Sequence, residues 1–205
     1  IGATGFGLVV AAEAAEKYSK LQLEGARIAV QGFGSVGKHA ARFFARKRAL
    51  LVAAADSTGT VYDPDGLDVE QLITYKDNGG RIRDFSAGEK HEREAVISSE
   101  CDILIPAARP DAIRADNADG VQAKLIVQGA NIGVTEEAEA LLHARGVLCL
   151  PDFISNAGGV ICASVEYHGG TQAQALQTIE EKIRANTAKV LDRSRQQGIL
   201  PRQAA

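Results

Sequence analysis

The 205-residue sequence contains no methionine and no tryptophan, and only three cysteines, five prolines and four histidines. Without a methionine anywhere, the translated start is expected to lie ahead of Ile1, so the sequence reads as a piece of a longer chain. Cys101, Cys149 and Cys162 are odd in number, far apart and set in apolar stretches, which suits neither a disulfide framework nor a metal site and points to a reducing, cytoplasmic compartment. His39, His91, His143 and His168 show no ligand spacing, so no metal is expected. Long hydrophobic runs are also lacking. The apolar opening "IGATGFGLVVAAEAA" is broken at Glu13, is too short to span a bilayer and has no basic front end like that of a signal peptide. A net charge of -3 with both signs interspersed offers no field for nucleic acid or an acidic membrane surface. The one dense basic run, Arg46-Lys47-Arg48, fits a helix C-terminus better than a phosphate site.

What is present is a 45% apolar content, enough for a full core, arranged in short runs. From Thr4 to about Lys20 apolar residues recur at helical spacing behind a threonine that could cap the helix. A buried strand is expected at Arg27–Gln31, then a helix over Ser35–Arg48 with Val36, Ala40, Phe43 and Phe44 inward, then a strand in "ALLVAAAD". The segment after it reads as a decorated connection, with Pro64 and Gly66 in a turn and a helix from near Asp68 to Gly79-Gly80. Further apolar runs at "CDILIPAA", "KLIVQGAN" and "GVLCLPD" alternate with helical stretches, the clearest bracketed by Thr135 and Gly146. Two helices follow, separated by Gly169-Gly170, the second charged on one side and expected to pack across the outside; the last residues, "QQGILPRQAA", show no final element. Together these indicate an α/β fold, a doubly wound, mainly parallel sheet of the Rossmann type with flanking helices.

Gly32, Gly34 and Gly37 spell G-x-G-x-x-G between the first strand and its helix. In that place the first glycine permits a tight turn, the second removes a Cβ where a pyrophosphate would approach and the third lets helix and strand pack closely. Free amides at the helix start would face the phosphates. Asp56 closes the next strand, about 20 residues past the motif, where a carboxylate can accept hydrogen bonds from ribose hydroxyls and would repel a 2′-phosphate. No Arg or Lys follows it in "DSTGTV", so NAD is favoured over NADP.

Six stretches in order, "ATGFG" (3–7), "VQGFGSVG" (30–37), "YDPDGLD" (62–68), "CDILIPAA" (101–108), "QGAN" (128–131) and "PDFISNAGGV" (151–160), make the chain resemble the cofactor-binding half of the glutamate, leucine, phenylalanine and valine dehydrogenases. The resemblance covers nearly the whole chain and is strongest to the glutamate dehydrogenases. It implies reversible, NAD(P)-dependent oxidative deamination of an L-amino acid to its 2-oxo acid and ammonia, in a cleft between two domains. Residues 1–205 would form one NAD(P)-binding domain, with a leading helix (1–24), a core (25–150) and C-terminal helices packing back (151–205). Carried over by position, Thr4 would hold the nicotinamide carboxamide, and Ser35 and Val36, beside Phe33 in the glycine motif, would sit at the pyrophosphate. Asp56 and Ser57 would bracket the adenosine ribose and Ala107-Ala108 would run along the cofactor. Asn131 and Asn156 would face the nicotinamide end and the cleft, as amides able both to donate and to accept, and the paired glycines of "NAGGV" would allow close backbone approach there.

The resemblance also implies that the catalytic lysine and aspartate belong to a preceding domain. Neither motif occurs here, so the catalytic set in this chain is empty, and Lys17, Lys38 and Lys124 read as surface residues. The full-length protein would be a homo-oligomer, whereas this chain alone would bind cofactor without turnover. At the substrate side, Ala163 stands where glutamate-type members usually carry a serine that meets the substrate's side-chain carboxylate; Ser164 is rotated about 100° away. A lost hydrogen bond to a charged group is worth roughly 1.5–3 kcal/mol, which weakens glutamate preference without excluding it. Glutamate remains first on the strength of "YDPDGLDVEQLITYKDNGG", with a leucine, valine or phenylalanine type as the alternative. A further alternative is a non-catalytic NAD-sensing module, since fold alone does not assign function.

Overall fold

The computed structural model describes residues 2–205. Among them, seven strands form one sheet: β1 (Arg27–Gln31), β2 (Leu50–Asp56), β3 (Gly59–Tyr62), β4 (Glu89–His91), β5 (Ile103–Pro106), β6 (Leu125–Val127) and β7 (Leu148–Leu150). Their order across the sheet is β4-β3-β2-β1-β5-β6-β7. The run from β2 to β7 is parallel. β3 and β4 are antiparallel additions at one edge. The central strands read as uninterrupted apolar runs because both of their faces are covered.

On one face Ile28, Val30, Ile103, Ile105 and Val127 meet helices α1 (Ala3–Ser19) and α2 (Ser35–Arg46). On the other, Ala29, Ala53, Leu104 and Ile126 meet a 3-10 turn (Arg93–Ser98), α4 (Ala115–Ala118) and α5 (Glu136–Ala144). Between β3 and β4 lies α3 (Val69–Asp77), whose cap Asp68 accepts the Gln71 N–H at 2.9 Å. After β7 come α6 (Asp152–Ser155), α7 (Gly158–Tyr167), α8 (Gln172–Gln197) and α9 (Pro201–Ala204). This is the doubly wound Rossmann-type sheet the sequence implies.

Helix α8 starts at a reciprocal cap, Thr171 with Gln174, and ends at Gly198 with φ 65°. Its buried stripe of Ala175, Ile179, Ile183 and Leu191 lies along α1. Glu13 of α1 ties the layers together, pairing with Arg184 of α8 at 2.9 Å and with Lys47, just past α2, at 2.5 Å.

Four expectations are corrected. Thr4 does not cap α1; Gly2, in a left-handed conformation, precedes the helix, and Thr4 lies inside its first turn. Helix α2 stops at Arg46, and Lys47 and Arg48 lie beyond it, Arg48 with φ 64° and an ion pair to Glu24. The decorated connection contains two strands: a tight turn at Ser57-Thr58 folds β3 back on β2, and β4 is too short, charged and exposed to show an alternating pattern. The last residues form a helix after all, α9, started by Pro201.

Candidate functional site

The chain leaves β1 toward β2 on one side and returns to β5 on the other, so the sheet's switch point lies between the carboxyl ends of β1 and β5. Ligands of open α/β sheets bind at that crevice. Here it opens into a pocket of about 550 Å³ whose walls include Gln31, Gly34, Lys38, Asp56, Lys76 and Arg109.

The glycines shape its floor. Gly32 turns the chain out of β1 with φ 100°, and a Cβ there would come within 2.6 Å of the Ala108 backbone nitrogen. A Cβ on Gly37 would sit 2.1 Å from the Gly32 carbonyl oxygen, so the crossing of α2 over β1 depends on its absence. Around Gly34 a Cβ would meet nothing within 4 Å; the space on that side is open. Gly32 and Phe33 both donate their N–H to Ala55 O, at 3.0 and 2.8 Å, and the Phe33 ring is buried in the core, so Phe33 underpins the turn from below. Ser35 and Val36 head α2, which has no side-chain cap, so its first amides lack a side-chain partner; the two residues line not this pocket but a smaller one of about 180 Å³ beside it, with Gly2, Thr4 and His39. Ala107 and Ala108 follow β5 as the opposite wall, with Ala107 N–H bonded to Gln31 O at 2.7 Å. Among the described residues, Gln31 Oε1 is a buried acceptor with no partner at this end of β1.

At the end of β2, Asp56 is almost enclosed. Oδ1 accepts from Thr58 N–H (2.8 Å) and Thr58 Oγ1 (2.5 Å); Oδ2 accepts from Lys76 Nζ (2.5 Å) and Ile82 N–H (3.1 Å). Burial opposes its ionisation, yet Lys76, the Thr58 hydroxyl and the two amides outweigh that and hold the carboxyl below its ordinary range. Ser57 lies beside it at the pocket wall. The cation missing from "DSTGTV" is therefore supplied from 20 residues further on by Lys76 of α3, whose side chain is only 18% exposed. Lys38, read from sequence as a surface residue, also lines the pocket and pairs with Asp77. Arg93 and Arg109 close the rim and share Glu94. Sequence distance hides Lys76, Arg93 and Arg109, each in a different segment, whereas Lys38 directly follows Gly37 and only its direction is illegible in the sequence.

The second half of the site lies where α1, α2 and α7 converge. A Cβ on Gly158 would lie 2.2 Å from Ala3 O and one on Gly159 2.9 Å from Thr4 Oγ1, so Thr4 sits directly over the paired glycines. Asn156 donates through Nδ2 to Asn131 Oδ1 at 2.7 Å, joining the turn after β6 to the start of α7. Ala163 is exposed on α7, one residue from Ser164, which is also exposed.

A family model described as Glutamate/Leucine/Phenylalanine/Valine dehydrogenase matches residues 1–205. The chain belongs to that family. It is 40% identical over 197 residues to a glutamate dehydrogenase of Aeropyrum pernix, covering 93% of this chain and 47% of that protein. It is 39% identical over 165 residues to an NADP-specific glutamate dehydrogenase of Saccharolobus shibatae (80% and 39%), and 34% identical over 191 residues to an NAD-specific one of Staphylococcus aureus (92% and 46%). A hetero-hexameric glutamate dehydrogenase from Thermus thermophilus, in a Leu-bound form, superimposes with a TM-score of 0.88 at 32% identity over 99% of this chain and 49% of that one. The chain spans about half or less of the length of these relatives. The relatives thus include both NAD-specific and NADP-specific glutamate dehydrogenases.

Proposed function

We propose that this chain is the NAD-binding domain of an amino acid dehydrogenase that deaminates L-glutamate reversibly to 2-oxoglutarate and ammonia. The observation that carries this reading is the switch-point pocket, with Gly34 open to it, the free amides of Ser35 and Val36 heading α2, and Asp56 at the neighbouring strand tip. The residues fit a dinucleotide along its length. Ser35 and Val36 bind the pyrophosphate, Asp56 and Ser57 the adenosine ribose, and Ala107 and Ala108 pack along the cofactor. Thr4, Asn131 and Asn156 orient the carboxamide and ribose at the far end, where Asn156 and Ala163 also border the substrate. The bound nicotinamide supplies the hydride acceptor or donor.

NAD is the favoured cofactor because Asp56 is ionised where a 2′-phosphate would lie. Lys76 narrows the margin by neutralising part of that charge. The proton-moving and carbonyl-activating groups belong to a substrate domain outside these residues, and the whole protein assembles as a homo-oligomer in the cytoplasm.

The exposed methyl of Ala163 favours one second reading, a leucine, valine or phenylalanine dehydrogenase. A substrate screen with the full-length protein decides between them. Faster turnover on glutamate is expected; activity on leucine or phenylalanine well above that on glutamate would replace the first reading with the second.

A further inference from the structure

Behind the Asn131 turn lies a buried polar network. Arg202 of α9 forms a two-pronged ion pair with Glu139 of α5, Nε to Oε2 and Nη2 to Oε1, both at 2.9 Å. The same Nη2 reaches Asp152 Oδ1 at 2.8 Å. The two carboxylate side chains are only 3% and 9% exposed. Both acids also reach toward one turn. Asp152 Oδ2 accepts the Ile132 N–H at 2.9 Å. Glu139 Oε1 accepts from Gln128 Nε2 at 2.9 Å, and Gln128 Oε1 accepts the Val134 N–H at 2.9 Å. Ser155 Oγ donates to Gln128 O at 2.7 Å, fixing the turn's other limb.

The turn needs restraint. Ile132 sits at φ 51°, in the left-handed region that β-branched side chains avoid, and its side chain is half exposed, so packing alone does not hold it there. Such a conformation persists where its surroundings over-determine it. Burying two acids with one guanidinium gains little stability over apolar packing of the same volume. The cluster's hydrogen bonds to Ile132 and Val134, on the far side of Asn131, give it a use that stability alone does not.

We propose that Arg202 is a positioning residue: by neutralising Glu139 and Asp152 it holds the 128–134 turn, and with it the Asn131 amide, in the geometry that meets the nicotinamide half of the cofactor. This rests on the dinucleotide reading above and adds that the chain's last helix governs one half of that site.

The test compares the full-length wild type with Arg202→Met and Arg202→Lys. It measures equilibrium binding of NADH and of ADP-ribose, which lacks the nicotinamide, together with amide hydrogen exchange at Ile132 and Val134. In Arg202→Met, NADH affinity is expected to fall roughly tenfold while ADP-ribose affinity changes by less than about twofold, because only the nicotinamide end is misplaced. Exchange at Ile132 and Val134 should quicken. Arg202→Lys keeps the charge but not the planar fork, so its effects should be intermediate, and it carries the same comparison if the methionine variant does not fold. Equal losses for both ligands, or unchanged NADH affinity despite faster exchange, would overturn the positioning role and leave the dinucleotide reading standing. A wild type that binds neither ligand would overturn both.

Discussion

Two turns border the site, and they hold unusual backbone in opposite ways. The turn after β1 places its positive φ at Gly32 and its close approach at Gly37, so each demand is met by the residue itself. The turn after β6 places a positive φ at Ile132 and is held by Gln128, Glu139, Asp152 and Arg202, drawn from four segments. Backbone strain can thus be absorbed locally by glycine or imposed from a distance by buried hydrogen bonds. The first arrangement leaves a motif in the sequence and the second leaves none.

The largest expected effect is at the glycine turn. Gly37→Val would drive its side chain into the Gly32 carbonyl and Val30, with no flexible neighbour to yield. Denaturant unfolding should show a loss of about 3 kcal/mol or more, together with loss of dinucleotide binding. A variant with wild-type stability would mean that α2 and β1 are not so closely packed.

Acid should act at both regions but be separable by mutation. The folded-state pKa values of Asp56 and Asp152 lie below their ordinary range. For Asp152, burial pushes upward but is outweighed by the Ile132 amide and Arg202. A depressed folded pKa means the unfolded chain takes up protons first. The stabilisation is therefore fully present above about pH 4 and lost as pH falls through the folded values. Thermal midpoints followed from pH 7 to about pH 3 should drop in wild type. They should drop less steeply in Arg202→Met, where Asp152 has already lost its cation; equal slopes would remove Arg202 from the acid response.

Ile132→Asn sharpens the contrast further. Asparagine tolerates the left-handed region and Ile132 is half exposed, so the exchange should stabilise the protein by about 1 kcal/mol in chemical denaturation. Destabilisation would show that the turn is not strained at this residue. The smallest effect is expected at the Asp56–Lys76 pair. Lys76→Gln should widen the preference for NAD over NADP several-fold, on the order of 1 kcal/mol, by unmasking the Asp56 charge. An unchanged ratio of the two dissociation constants would remove Lys76 from cofactor selection.

Most of the sheet was legible in the sequence because its central strands are continuous apolar runs and its helices carry local signals, such as Asp68, Thr135 and Gly198 at their ends. Strands β3 and β4 were not, since Gly59–Tyr62 is a short return limb and Glu89–His91 is exposed and charged. The short helix α9 is held largely by tertiary contacts, with Pro201 and Ala204 buried and Arg202 paired to acids 50 and 63 residues away. At the site, the glycine turn and Asp56 could be read from spacing. Lys76 could not, because its approach to Asp56 depends on how α3 docks beside the β2–β3 turn. Nor could the partnership of Asn131 and Asn156, which is set by where β6 and α6 end.

The most direct measurement is a titration of the purified protein with NADH, following the cofactor's own fluorescence. Saturable binding at one site per chain, abolished by Gly32→Ala in a protein that remains folded, is the expected result. A folded wild type that leaves NADH fluorescence unchanged, with no heat of binding by calorimetry, would contradict the assignment of the switch-point pocket to a nicotinamide dinucleotide.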